Sequence, residues 1–264
     1  MKLGFIGCGN MGKAMLGGIL KNQILEPGDV CVSALHQNTL DEIHKTYQVD
    51  VTLDNREVAK AADILILAVK PQYYGEVIEE IRDVMKKDAV FVSIAPGKRM
   101  EWFYGQFGRK PKIVRCMPNT PALVGEGMTG VCCNELVSQS EKEEVLRILQ
   151  GFGHAEEVTE PLMDVVVSVS GSAPAYVFLF IEAMADAAVA DGMPRAQAYR
   201  FASQAVLGSA RMVLETGRHP GELKDMVCSP GGTTIEAVRV LEAKGMRSAV
   251  IEAMKACCQK GKEV

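Results

Sequence analysis

Charge of one sign is in short supply in this sequence. Twenty-nine lysines and arginines stand against thirty-three acids, leaving the 264-residue chain at a net −4. No excess of positive charge draws it to a phosphate backbone, so nucleic-acid binding is not expected. The basic pairs Lys86-Lys87 and Arg109-Lys110 are isolated and read as solvated surface. Aromatics are scarce, at 6% with one tryptophan, and Trp102 and Tyr104 read as packing residues, the usual use of such rings. Metal-ligand spacing is missing, because His36, His44, His154 and His219 are scattered; no metal site is expected. The eight cysteines include the adjacent pairs Cys132-Cys133 and Cys257-Cys258 but no CxxC. Reduced thiols in a cytoplasmic protein are the expectation. Glycines and Asn10 interrupt the first residues before a signal-peptide core forms. The most apolar window, Ala173 to Ala190, is broken by Glu182 and Asp186 at i,i+4. That window reads as the buried helix of a soluble protein, with its two acids facing polar partners, rather than as a membrane span.

What is present is alternation. Apolar runs at Leu3–Gly7, Asp29–Ala34, Ala62–Val69 and Ala89–Ala95, with a further candidate at Lys112–Asn119, read as strands covered on both faces. Helical patterns fall between them, at Met11 to Leu20 and Tyr73 to Met85 for example. Such β-α alternation predicts an open, mostly parallel sheet of Rossmann type. From about Glu160 onward strand patterns vanish and Ala-, Met- and Val-rich helical runs follow one another. The expected organisation is therefore a dinucleotide-binding domain over 1–160 and an all-helical domain over 161–264. Met184, Met193 and Met212 fit an adaptable helical core.

The opening stretch KLGFIGCGNMGKAM places Gly7, Gly9 and Gly12 directly after the first strand. G-x-G-x-x-G spacing is a weak signal alone, but here it closes a strand, opens a helix and lies in a β-α region. Gly7 would permit the tight turn, Gly9 the approach of a pyrophosphate and Gly12 the packing of helix on strand. The second strand ends in Ser33-Ala34-Leu35-His36-Gln37-Asn38, with no acid until Asp41. A carboxylate that would repel a 2′-phosphate is missing there, which favours NADPH over NADH, although no arginine replaces it. Three later stretches are unusual for loops: AVKPQ at 68–72, RCMPNTPALVGEG at 115–127 and DMVCSPGGTTIEAV at 225–238. The last reads as a helix start, either a plain cap or a cradle for a small carboxylate.

These stretches, with SGSAPAY at 170–176 and DGMPR at 191–195, occur in the order seen in the pyrroline-5-carboxylate reductase family, which the chain resembles over its full length. The resemblance implies a Rossmann domain, a helical domain that interlocks with a second subunit, and reduction of 1-pyrroline-5-carboxylate to L-proline by NADPH or NADH. It also implies roles by position. Gly7, Gly9, Asn10, Met11 and Gly12 hold the pyrophosphate. Ser33 meets the adenosine ribose or its phosphate. Asn55, Ala68, Val69, Lys70 and Pro71 line the groove, with Ala95, Gly97 and Thr120 towards the nicotinamide. Met117 and Asn119 lie beside the reacting ring, and Val227, Gly232, Thr233 and Thr234 form the substrate loop. Thr234 is the candidate catalytic residue, its hydroxyl approaching the pyrroline nitrogen. One departure is that Leu35-His36-Gln37-Asn38 replaces the Asn-Arg pair common in bacterial members.

Two other functions fit part of the sequence. A β-hydroxyacid dehydrogenase shares the N-terminal cradle but needs a lysine that SGSAPAY does not lead to. A non-catalytic nucleotide sensor would have no use for SPGGTTI. The apolar helical half predicts at least a homodimer.

Overall fold

A computed structural model describes residues 1–262. The chain forms two compact units, Met1–Ser172 joined by the chain from Cys257 onward, and Ala173–Ala256. The division thus falls after Ser172 rather than at 160. The helix Met163–Val166 (α7) and the π-helical turn Val167–Gly171 pack against the sheet of the first unit, so they belong to it.

In the first unit, β1 (Leu3–Ile6), α1 (Asn10–Lys21), β2 (Val30–Ser33), α2 (Gln37–Tyr47), β3 (Asp50–Thr52), α3 (Asn55–Ala61), β4 (Ile64–Leu67), α4 (Tyr74–Ile81), β5 (Val90–Ser93), α5 (Met100–Phe107) and β6 (Lys112–Met117) alternate. β7 (Gly127–Cys133), α6 (Gln139–Leu149) and β8 (Gly153–Glu157) follow. The sheet order is β3-β2-β1-β4-β5-β6-β7-β8. β1 to β6 are parallel, while β7 runs antiparallel to β6 with β8 parallel to it. Both faces are covered, which is why the central strands are apolar at successive positions. Phe5 joins a core with Met15, Leu16, Ile43 and Ile148, whereas its neighbour Ile6 joins Val58, Tyr74, Phe91 and Phe103 on the other face. α6 begins with a capping box, Ser138 Oγ accepting from Glu141 N while Glu141 accepts from Ser138 N at 2.9 Å.

The second unit is helical: α8 (Ala173–Ala190), α9 (Arg195–Thr216), α10 (Pro220–Val227), α11 (Thr233–Ala243) and most of α12 (Met246–Gly261). α8 does not have the burial expected of it. Phe178 and Leu179 are 63% and 68% exposed, and on this helix only Ala185 is buried. Met212, expected in a core, is also exposed, with Met184 and Met193 half-buried. The helices present more apolar surface than one chain covers. By length and composition alone, Glu160–Ala190 passes for a membrane span, but Asp186 is exposed and paired with Arg195 on α9.

Candidate active site

The first half-site is the turn between β1 and α1. Gly7 has φ +82°, and a Cβ there would lie 2.6 Å from Val69 Cγ1 and 2.9 Å from the Val69 amide. Only glycine permits this turn against the exit of β4. Around Gly9 the situation is reversed, since a Cβ would have no atom within 4 Å. A Cβ on Gly12 would stand 3.3 Å from Gly7 O and 3.6 Å from Ala68 Cβ, so α1 lies close on the turn. Gly9 caps α1 without a side-chain bond, and no acid sits in the first turn. The first helical bond is Lys13 N to Gly9 O at 2.8 Å. The amides of Asn10, Met11 and Gly12 have no partner within the helix and stand at the positive end of its dipole, beside the open space at Gly9, a fit for a diphosphate. Burial pushes the neighbouring Cys8 thiol up to about 12, so no thiolate competes there.

The sheet aligns the other expected cofactor residues. Ala68, Val69, Lys70 and Pro71 follow β4, Ala95 and Gly97 follow β5, Met117 ends β6, and Asn119 and Thr120 follow it. All lie at carboxyl ends of adjacent parallel strands, beside the β1/β4 switch point where ligands bind such sheets. Tyr74 ties this edge together from below. Fully buried, its hydroxyl donates to Leu67 O at 2.5 Å and accepts from Ile94 N at 3.3 Å. Desolvation holds that phenol well above its ordinary range.

Two residues are placed otherwise than their expected roles suggest. Ser33 is fully buried, and its hydroxyl donates to Asn55 Oδ1 at 2.8 Å, while Asn55 Nδ2 donates to Glu80 at 2.8 Å. What the end of β2 exposes is Leu35, His36, Gln37 and Asn38. α2 starts there with no side-chain cap and no acid in its first turn. Asn119 is buried, with Nδ2 donating to Ser170 O at 3.0 Å and Oδ1 accepting from Met128 N at 2.8 Å. Thr120 is exposed and Met117 half-buried.

The second half-site lies in the helical unit. Ser229-Pro230-Gly231-Gly232 is a turn closed by Gly232 N donating to Ser229 O at 3.0 Å, with Gly231 at φ +68°. Pro followed by a glycine of positive φ is the chemistry of a type II turn. A Cβ on Gly232 would fall 2.4 Å from Ser229 Oγ and 3.1 Å from Ser229 O, so the turn is tight there, while the positive φ of Gly231 is what favours glycine. Gly232 caps α11 without a side-chain bond, leaving the amides of Thr233, Thr234 and Ile235 unpaired. Glu236, the acid of the first turn, is occupied by Arg239 at 2.6 Å. Thr234 is half-buried, while Thr233 and Val227 are exposed. Sequence reasoning did not single out Tyr74 or the amide bonds of Asn119, because nothing local marks either. No group of three metal-ligating side chains occurs among the described residues.

A doubly wound dinucleotide-binding unit with an open glycine cradle, followed by a helical unit with its own uncapped helix start, defines a nicotinamide-dependent oxidoreductase. Sequence comparison agrees. A family described as NADP oxidoreductase, coenzyme F420-dependent, matches residues 2–97, and one described as pyrroline-5-carboxylate reductase dimerisation matches residues 160–264. The chain is 55% identical over 263 residues to pyrroline-5-carboxylate reductase of Escherichia coli (strain K12), covering 100% of this chain and 98% of the relative. Its structure matches a pyrroline-5-carboxylate reductase of Coxiella burnetii with TM-score 0.94 and 36% identity, over 99% of this chain and 97% of that one. It matches the Plasmodium falciparum pyrroline carboxylate reductase, solved with NADP bound, with TM-score 0.90 and 34% identity, over 100% and 97%. The chain belongs to the pyrroline-5-carboxylate reductase family.

Proposed function

We infer that the chain reduces 1-pyrroline-5-carboxylate to L-proline with a reduced nicotinamide dinucleotide, the last step of proline biosynthesis. The observation that carries this reading is the pair of uncapped helix starts, at Gly9 and at Gly232, in a chain of that family. The substrate is a cyclic imine, electrophilic once protonated, so the protein's main tasks are to position two rings and exclude water. When bound, the nicotinamide supplies the hydride equivalent. The amides of Asn10, Met11 and Gly12 hold the diphosphate. The amides at the start of α11 hold the substrate carboxylate, the dipole contributing about 0.3–2 kcal/mol before charge-assisted hydrogen bonds are added. Thr234 donates its hydroxyl towards the ring nitrogen, where the product carries its proton.

NADPH is the preferred cofactor in this reading. The end of β2 presents no carboxylate to a 2′-phosphate, and exposed His36, Gln37 and Asn38 stand at the start of α2, where the Thr39 amide is already taken by Asn38 Oδ1 and His36 O. The working unit is a homodimer or an assembly of dimers, the second copy covering the exposed apolar faces of α8 and α9. Loss of reduced-nicotinamide absorbance with 1-pyrroline-5-carboxylate, with L-proline identified as product, tests the assignment. Turnover with this substrate and none with β-hydroxyacids is expected. Silence with the imine, or oxidation of a hydroxyacid, would overturn it. A KM for NADPH no lower than that for NADH would overturn the cofactor preference alone.

A further inference from the structure

Asn119 lies beside the reacting ring by position in the chain, yet its side chain is turned away from open space. It is 8% exposed. It precedes the turn Thr120–Val124 but makes no capping bond to it, the usual use of asparagine in that place. Instead its two polar ends bind two other segments of the first unit, Ser170 O and Met128 N. The first of these partners has a chemical reason. In an α-helix the carbonyl of residue 170 would receive the N–H of residue 174, and residue 174 is proline, which has none. The π-helical turn Val167–Gly171 marks the same irregularity. A second contact joins these segments, for a Cβ on Gly171 would stand only 2.9 Å from Met117 Cε. The segment from Met117 to Thr120 therefore rests on the helical turn before Pro174 through a hydrogen bond and a close apolar contact.

We propose that Asn119 is a positioning residue: by donating to the Ser170 carbonyl and accepting from the Met128 amide, it fixes the Met117–Thr120 segment at the nicotinamide end of the sheet. It does not ligate the substrate. This rests on the reductase reading above, and its effect falls on turnover rather than on affinity for either reactant.

Asn119→Asp separates the two bonds, since a carboxylate keeps the acceptor for Met128 and loses the donor for Ser170. In the full-length enzyme we expect kcat about ten-fold lower, the loss of one hydrogen bond. The KM for 1-pyrroline-5-carboxylate and the Kd for NADPH should stay within about two-fold. The ratio of variant to wild-type kcat should climb as pH falls, because a protonated Asp regains an O–H for Ser170. Amide exchange at Met128 should be unchanged in Asn119→Asp and about ten-fold faster in Asn119→Ala, which removes the acceptor. A ten-fold rise in substrate KM with kcat kept would make Asn119 a substrate ligand and overturn the proposal. So would wild-type kinetics in Asn119→Asp, or unchanged exchange at Met128 in Asn119→Ala. Should the wild-type enzyme fail to reduce the imine, the reductase reading falls, while exchange at Met128 still tests the clamp.

Discussion

The two units use apolar residues in opposite ways. In the first, Phe5, Leu16, Phe91 and Phe103 are fully buried within the chain, and the central strands are covered on both faces. In the second, only Ala185, Ala198, Ala202 and Leu223 are buried, while Phe201 and Leu214 are 61% and 79% exposed. A unit whose own core amounts to three alanines and a leucine does not hold its helices by self-burial. The first unit is thus stabilised by its own fold, and in the proposed function it is the unit that serves the cofactor. The second is completed by association in the dimer reading, and in the same proposal it presents the substrate loop.

That contrast predicts different failures. The largest effect is expected from Phe178→Glu. Burial of such a side chain contributes about 1.5–3 kcal/mol and counts twice in a symmetric dimer, so dissociation should strengthen on the order of a hundredfold or more. Light scattering would read this, and an unchanged oligomer would break the comparison. Phe91→Ala, in the first unit, should cost about 3–5 kcal/mol. Its melting temperature should fall equally at all protein concentrations, whereas that of the Phe178 variant should depend on concentration.

The half-sites should also separate. Thr234→Ala is expected to lower kcat about a hundredfold with NADPH affinity nearly unchanged; equal loss of NADPH affinity would place Thr234 in the other half-site. Gly9→Ala should do the reverse. Its Cβ meets no protein atom, so the melting temperature should hold while NADPH binding weakens about ten-fold, one misfit contact. The smallest effect is expected from Tyr74→Phe. Losing the buried bonds to Leu67 and Ile94 should cost about 1–3 kcal/mol in chemical denaturation, with the substrate KM unaffected.

The sheet was legible where burial on both faces writes a continuous apolar run, as at Leu65 and Phe91. It was not legible at β3, only Asp50-Val51-Thr52, or at β8, whose edge position leaves Gly-His-Ala-Glu-Glu largely exposed. β7 was hidden by Gly127 and Gly130, which weaken a strand pattern but here leave room for neighbours, since a Cβ would stand 2.8 Å from the Phe152 carbonyl oxygen at the first and 2.8 Å from Val166 Cγ1 at the second. Gly7, Gly9 and Gly232 stood out because glycine-rich turns at helix starts leave their mark in a few consecutive residues. The burial of α8 was misjudged because a composition rich in Ala, Phe and Leu is the same whether one chain covers it or two. Ser33 and Asn119 could not be oriented from sequence, since their partners lie 22 and 51 residues away.

The most direct test follows a label. With reduced nicotinamide dinucleotide carrying deuterium at the transferred position, the wild-type enzyme should deliver one deuterium to the former imine carbon of L-proline, and Thr234→Ala should slow that delivery without weakening cofactor binding. Proline formed without the label, its new hydrogen drawn from water, would contradict an account in which one half-site holds the hydride donor and the other holds the acceptor.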